Sequence, residues 1–244
     1  MAYSRLRVDF STNDECHFCD NKLRSGKVRI LVDDEGREVQ AGPVCAQKHS
    51  VNPKEKIPDL TAAAFEGDEP ELTQAGQGDQ PAGTGWRGGA RSSAGTADQE
   101  ERQRRLAECY LLLRVEKLGN FRGMKLERLV QLAEKLRDSG LELDDYRYLG
   151  NLMAKVGTAR PEYTFKNLQA IYACSYWIDY FLAKESADFI SDLQRSLRKE
   201  LALTPGQVIG LNKWFKNRSG MLSIKPDAFA FDPAERRKQA RKTE

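Results

Sequence analysis

Cys16-His17-Phe18-Cys19 and Gly42-Pro43-Val44-Cys45-Ala46-Gln47-Lys48-His49 decide how the first sixty residues are read. The first string is a C-x2-C knuckle, the second ends in a C-x3-H pair, and 25 residues separate the pairs. Two thiolates on a tight turn supply half of a tetrahedral zinc site. The second pair supplies the other half if Pro43 opens a short helix, because residues four apart then share one face. Cys16, Cys19, Cys45 and His49 are therefore the expected ligands, with His17, inside the knuckle, as the alternative fourth donor. With all four positions taken by protein, the Zn2+ is structural and supplies much of the module's folding free energy. A redox C-x2-C normally opens a helix in a βαβ context, which the sequence around Cys16 lacks.

The flanking residues read as strands. Leu6, Val8 and Phe10 alternate with charged residues, and so do Val28, Ile30 and Val32, the period of two of half-buried strands. Asp33-Asp34-Glu35-Gly36 supplies a turn, and Val39 lies on the return strand of a hairpin. Knuckle, hairpin and ligand-bearing helix together make a treble-clef-like finger over residues 1–60. The C-x2-C, the basic hairpin and Gly42-Pro43-Val44-Cys45-Ala46 resemble a short treble-clef-like zinc module of phage and mobile-element proteins. The resemblance covers about residues 14–52. It implies a DNA-associated protein, or a module appended to DNA-handling proteins, in a phage, plasmid or other mobile element.

Composition then changes twice. Residues 61–98 are glycine-rich and acidic, almost without large apolar side chains, and read as a disordered linker. Gly83-Thr84-Gly85-Trp86-Arg87-Gly88 falls in it and spells G-x-G-x-x-G. No strand and helix flank it, so it is not a dinucleotide loop. Residues 99–231 carry apolar residues at three- and four-residue spacing and read as six helices forming an all-α domain: 101–118, 125–137, 144–156, 164–184, 188–202 and 205–217. Gly140 ends one helix, Ser186 caps the fifth, and Thr204-Pro205-Gly206-Gln207 opens the last with a capping box. Residues 232–244 are a basic tail. The fold class is thus α+β.

The formal charge of +3 hides an uneven distribution. Residues 1–60 hold ten basic and ten acidic side chains, residues 61–100 carry a net −5, and residues 101–244 a net +8. Arg195, Arg198, Lys199, Lys213, Lys216, Arg218 and Lys225 face a single acid between positions 195 and 225, with Trp214 among them. Lysine and arginine on one surface suit phosphates, and an adjacent ring suits a base. Lys22, Arg24, Lys27 and Arg29 add a basic patch on the hairpin. Nucleic acid, DNA before RNA, is the expected partner. The helices at 188–202 and 205–217, joined by a short turn, suit a helix-turn-helix pair.

A second reading is a protein-interaction subunit of a nucleoprotein complex, docking through Tyr176, Trp177 and Tyr180. In length, zinc module and helical remainder the chain is similar to the large subunit of type IV CRISPR effectors. A third is an accessory domain of a nuclease or other enzyme. The chain itself is expected not to be an enzyme. Both histidines belong to the metal module, and no G-x4-G-K-[ST], H-E-x-x-H or G-x-S-x-G occurs. The absence of an apolar leader at Met1–Arg7 and of any membrane-length apolar run points to the cytoplasm.

Overall fold

The computed structural model of the chain describes residues 2–11, 15–23, 26–55, 57–61, 93–216 and 223–241. The architecture is α+β, a three-stranded sheet near the N-terminus followed by helices. The chain divides into two compact units, one of residues 1–73 with 169–244 and the other of residues 74–168. These units cut across the division read from composition, because the sheet packs on the later helices.

In the first unit β1 (Tyr3–Phe10), β2 (Lys27–Asp33) and β3 (Glu38–Ala41) form an antiparallel sheet in chain order. Asp33 sets the β2–β3 turn: its Oδ1 accepts from the N–H groups of Glu35 and Arg37, both at 2.9 Å. Gly36 takes φ +80°, a conformation that favours glycine. The β1–β2 register slips between Arg5 and Arg7, so Leu6 is a bulge residue. Leu6 is consequently 38% exposed, where strict alternation predicts the core. Beyond the bulge Val8, Asp9 and Phe10 are all buried. Helix α1 (Pro43–His49) follows β3, and the segment after it lies along β1, with Val8 N–H donating to Pro58 O and Leu60 N–H to Val8 O.

The same unit holds most of α5 (Phe165–Leu182), with α6 (Asp188–Glu200), α7 (Pro205–Phe215) and α8 (Pro233–Ala240). Phe10 stacks on Tyr176 at 4.2 Å and meets the edge of Tyr172 at 5.0 Å. Tyr172 donates to Asp9 Oδ1 at 2.8 Å, and Gln169 Nε2 to Asp59 O. Gly26, at φ +67°, lies against the Trp177 ring, where a Cβ would come within 3.1 Å. The Thr204 capping box is formed, with Gln207 N–H on Thr204 Oγ1 at 3.2 Å and Thr204 N–H on Gln207 Oε1 at 2.9 Å. The cap of α6 is Ala187, which has no side-chain acceptor, rather than Ser186.

The second unit contains α2 (Ser93–Leu112), α3 (Glu127–Asp138) and α4 (Leu143–Ala159) around a core of Leu111, Leu129, Leu132, Ala133 and Leu149. Helix α2 begins inside the stretch assigned to the linker, and residues 62–92 lie outside the described residues, as does the glycine string at 83–88. A π-helical turn, Leu113–Lys117, extends α2 and turns Arg114 inward. Arg114 is 2% exposed and has no carboxylate among its described partners. It donates to Met124 O, Tyr110 Oη and Gly123 O and lies over the Tyr163 ring. Among the described residues no helix is long and apolar enough to cross a membrane.

Candidate functional site

Three short-range devices bring the cysteines together. In the knuckle, Asp20 N–H bonds back to Cys16 O and Cys16 N–H to Asn21 O, both at 3.0 Å. Asp20 takes φ +54°, which reverses the chain just after Cys19. Gln40 on β3 then fixes the knuckle to the sheet: its carbonyl accepts from His17 N–H at 3.0 Å and its Nε2 donates to Glu15 O at 2.9 Å. Helix α1, opened by Pro43, presents Cys45 from the other side. Tyr3, Leu31, Ala41 and Ala46 pack beneath, with Cys16 buried among them.

The Sγ atoms of Cys16, Cys19 and Cys45 all lie within 4.8 Å of one another, and those of Cys19 and Cys45 are 3.5 Å apart. Thiolates on a tetrahedral zinc sit about 3.8 Å apart, given Zn–S bonds near 2.3 Å. The donor set, soft and clustered, therefore fits a thiophilic metal ion. The thiols also perturb one another. Burial pushes Cys16 up, but hydrogen bonds from the Gly42 and Phe18 backbone and from the two other thiols outweigh it and hold Cys16 below its ordinary value. Cys45 goes the other way, pushed up to about 11 by its contact with Cys19, by burial and by Cys16.

No protein-family model, curated protein or solved structure matches the chain.

Neither imidazole belongs to the three-thiol group. His49 occupies the position on α1 one turn after Cys45, but its ring stacks on Phe18 at 4.2 Å with the planes 4° apart. His17 meets the edge of Phe18 at 5.0 Å and that of Tyr3 at 6.4 Å. Aromatic packing thus engages both the expected fourth ligand, His49, and the alternative, His17. Cys109 and Cys174 are buried in helices, and burial pushes the Cys174 thiol well up.

The basic residues separate by environment. Lys27 is largely buried and pairs with Asp59 at 3.4 Å, so it serves the fold rather than a surface. Lys22 is exposed and Arg29 half-buried, while Arg24 and Arg218 lie outside the described residues. Arg195, Arg198 and Lys199 are exposed on α6, Lys213 is exposed on α7, Lys216 is exposed at its end, and Lys225 is half-buried. The Trp214-Phe215 pair splits: Phe215 is core, whereas Trp214 is 42% exposed and stacks on Phe189 at 6.1 Å. Trp177 is 2% exposed and Tyr176 is covered by Phe10, so the aromatic face of α5 is consumed by the N-terminal sheet. Tyr180 is half-buried beneath the Lys184 ammonium. What sequence reasoning passed over is Asp9: its carboxylate is buried and accepts from Tyr172 and Arg7, although the alternation around it reads as a half-buried strand.

Proposed function

We propose that the chain is a non-enzymatic, zinc-containing nucleic-acid-binding protein, with DNA the favoured partner. The observation that carries the reading is the helix pair α6–α7, with Arg195, Arg198 and Lys199 exposed on one helix and Lys213 and Lys216 on the other or at its end. A turn of buried residues, Leu201 to Leu203, with Leu201 at φ +57°, joins them. A short, packed turn of this kind is what a helix-turn-helix requires. Lysine and arginine contact phosphates in this reading, and exposed Trp214 stacks on a base.

Knuckle, β2–β3 hairpin and α1 follow one another in treble-clef order, and Cys16, Cys19 and Cys45 hold the ion. His49, one turn beyond Cys45, is the fourth ligand once its ring leaves Phe18. The ion's role is structural, and the resemblance of residues 14–52 supports a phage, plasmid or other mobile-element setting.

The test is fluorescence anisotropy of labelled single- and double-stranded DNA across a salt series. Affinity falls with salt, and the slope shrinks by about 0.7–0.9 for each phosphate contact removed by Lys213→Ala or Lys216→Ala. No binding at low salt refutes the reading. The protein-interaction subunit then becomes the working answer, and its docking surface is Phe189, Ile209 and Trp214, which are exposed, rather than Tyr176 and Trp177.

A further inference from the structure

A cavity of about 220 Å³ lies where α6, the start of α7 and α8 come together. Its volume is that of roughly seven waters. Arg195 and Lys199, one turn apart on α6, line it together with Arg237 from α8. Glu200 is the single carboxylate among the described residues of its wall. Glu200 Oε1 stands 3.7 Å from Arg237 Nη1 and 3.9 Å from Lys199 Nζ, beyond hydrogen-bond length, so both cations keep donors for another acceptor. Arg195 commits Nη1 to Asp192 at 2.7 Å, one of the five N–H donors of its guanidinium. Ser196, Gln207 and Pro233 complete the lining. Gln207 spends Oε1 on the capping box, which leaves Nε2 as its donor end. The cavity also borders the first turn of α7, whose backbone dipole favours an anion.

We propose that this cavity seats a phosphate group, held by Arg195, Lys199 and Arg237 and oriented by Gln207 Nε2 and Ser196 Oγ. The proposal rests on the nucleic-acid reading only for the source of the phosphate, a backbone phosphodiester. Inorganic phosphate presents the same tetrahedral oxyanion. It also gives the C-terminal basic segment a role: Arg237 is a seat ligand, where composition alone reads a solvated tail.

The experiment is an NMR titration of the 15N-labelled full chain at constant ionic strength, with sodium phosphate in one arm and an oligothymidylate in the other. The backbone peak of Ser196 and the side-chain amide of Gln207 shift saturably in both arms. Lys199→Gln and Arg237→Gln each weaken the response by about tenfold, whereas Lys238→Gln, which removes the same charge outside the cavity, does not. Shifts that never saturate, or that weaken equally in Lys238→Gln, overturn the seat. Oligothymidylate binding that leaves Ser196 and Gln207 unmoved overturns it too, while the nucleic-acid reading stands. Saturation by phosphate with no response to oligothymidylate anywhere supports the seat and defeats the nucleic-acid reading.

Discussion

Phe10→Ala tests the joint between the N-terminal sheet and α5. The ring is 3% exposed, stacks on Tyr176 with the planes 8° apart and meets Tyr172 edge-on. Truncating a buried phenylalanine costs about 3–5 kcal/mol through lost transfer energy and the cavity left behind. Two well-oriented aromatic partners, each about 0.5–1.5 kcal/mol beyond area burial, place the loss in the upper half of that range. Against a total stability of about 5–15 kcal/mol the change is large. Leu6→Ala is the internal control: the residue is on the same strand and in the same alternation, but exposed at the bulge, so its loss stays below about 1 kcal/mol. Urea unfolding followed by circular dichroism and by tryptophan fluorescence reads both. Trp177, with its ring 6.5 Å from that of Phe10, is a local reporter. Equal losses in the two variants, or a Phe10→Ala loss below about 1 kcal/mol, refute the reasoning that the bulge turns the end of β1 onto α5.

Arg114→Met strands the Met124 and Gly123 carbonyls and the Tyr110 hydroxyl. It should cost about 3 kcal/mol or more, read by thermal unfolding, and a neutral result would show that the inward turn of the π-helical segment is dispensable. Asp145 bonds the Lys135 ammonium at 2.7 Å. That bond above all, then the Glu142 N–H and the Lys135 and Arg128 charges, holds its carboxyl below the ordinary value against the opposing effect of burial. Its folded pKa is thus below its unfolded one, so its stabilisation is present above the ordinary carboxylate pKa and disappears as pH falls through the depressed value. Asp145→Asn is accordingly less stable than the parent at neutral pH, and the gap in urea midpoint closes on acidification; a gap independent of pH contradicts the assignment. For the thiols, Cys16→Ala, Cys19→Ala and Cys45→Ala abolish bound zinc by elemental analysis, whereas Cys109→Ala and Cys174→Ala retain it. His49→Ala weakens zinc retention and His17→Ala does not; the reverse order would make His17 the fourth ligand.

Local chemistry made much of this fold legible. The Asp33–Gly36 turn, the Pro43 helix start and the Thr204 capping box are each fixed by residues within a few positions, and each stands where the sequence places it. The cysteine spacing likewise announced the three-thiol cluster. What failed depended on distant partners. Alternation put Leu6 inside because a bulge cannot be seen from one strand alone. Core packing is the default reading of Tyr176 and Trp177, but nothing in α5 reveals that Phe10 and Gly26 are what they pack against. Lys27 counted as a surface cation until Asp59, 32 residues away, neutralised it. His49 keeps the right spacing for a ligand, and only the folded chain shows that its ring stacks on Phe18.

The bond between Tyr172 and Asp9 joins residues 163 positions apart. At a synthesis rate of about 5–20 residues per second, the strand end leaves the ribosome roughly 8–33 s before the helix that covers it. The cysteine-bearing core around Leu31 and Ala46 involves only residues 3–46 and can close during that interval. Phe10 cannot find its stack until Tyr176 emerges. The nascent chain therefore carries an exposed aromatic strand end through most of its synthesis, and assembly of this protein is timed by the arrival of α5.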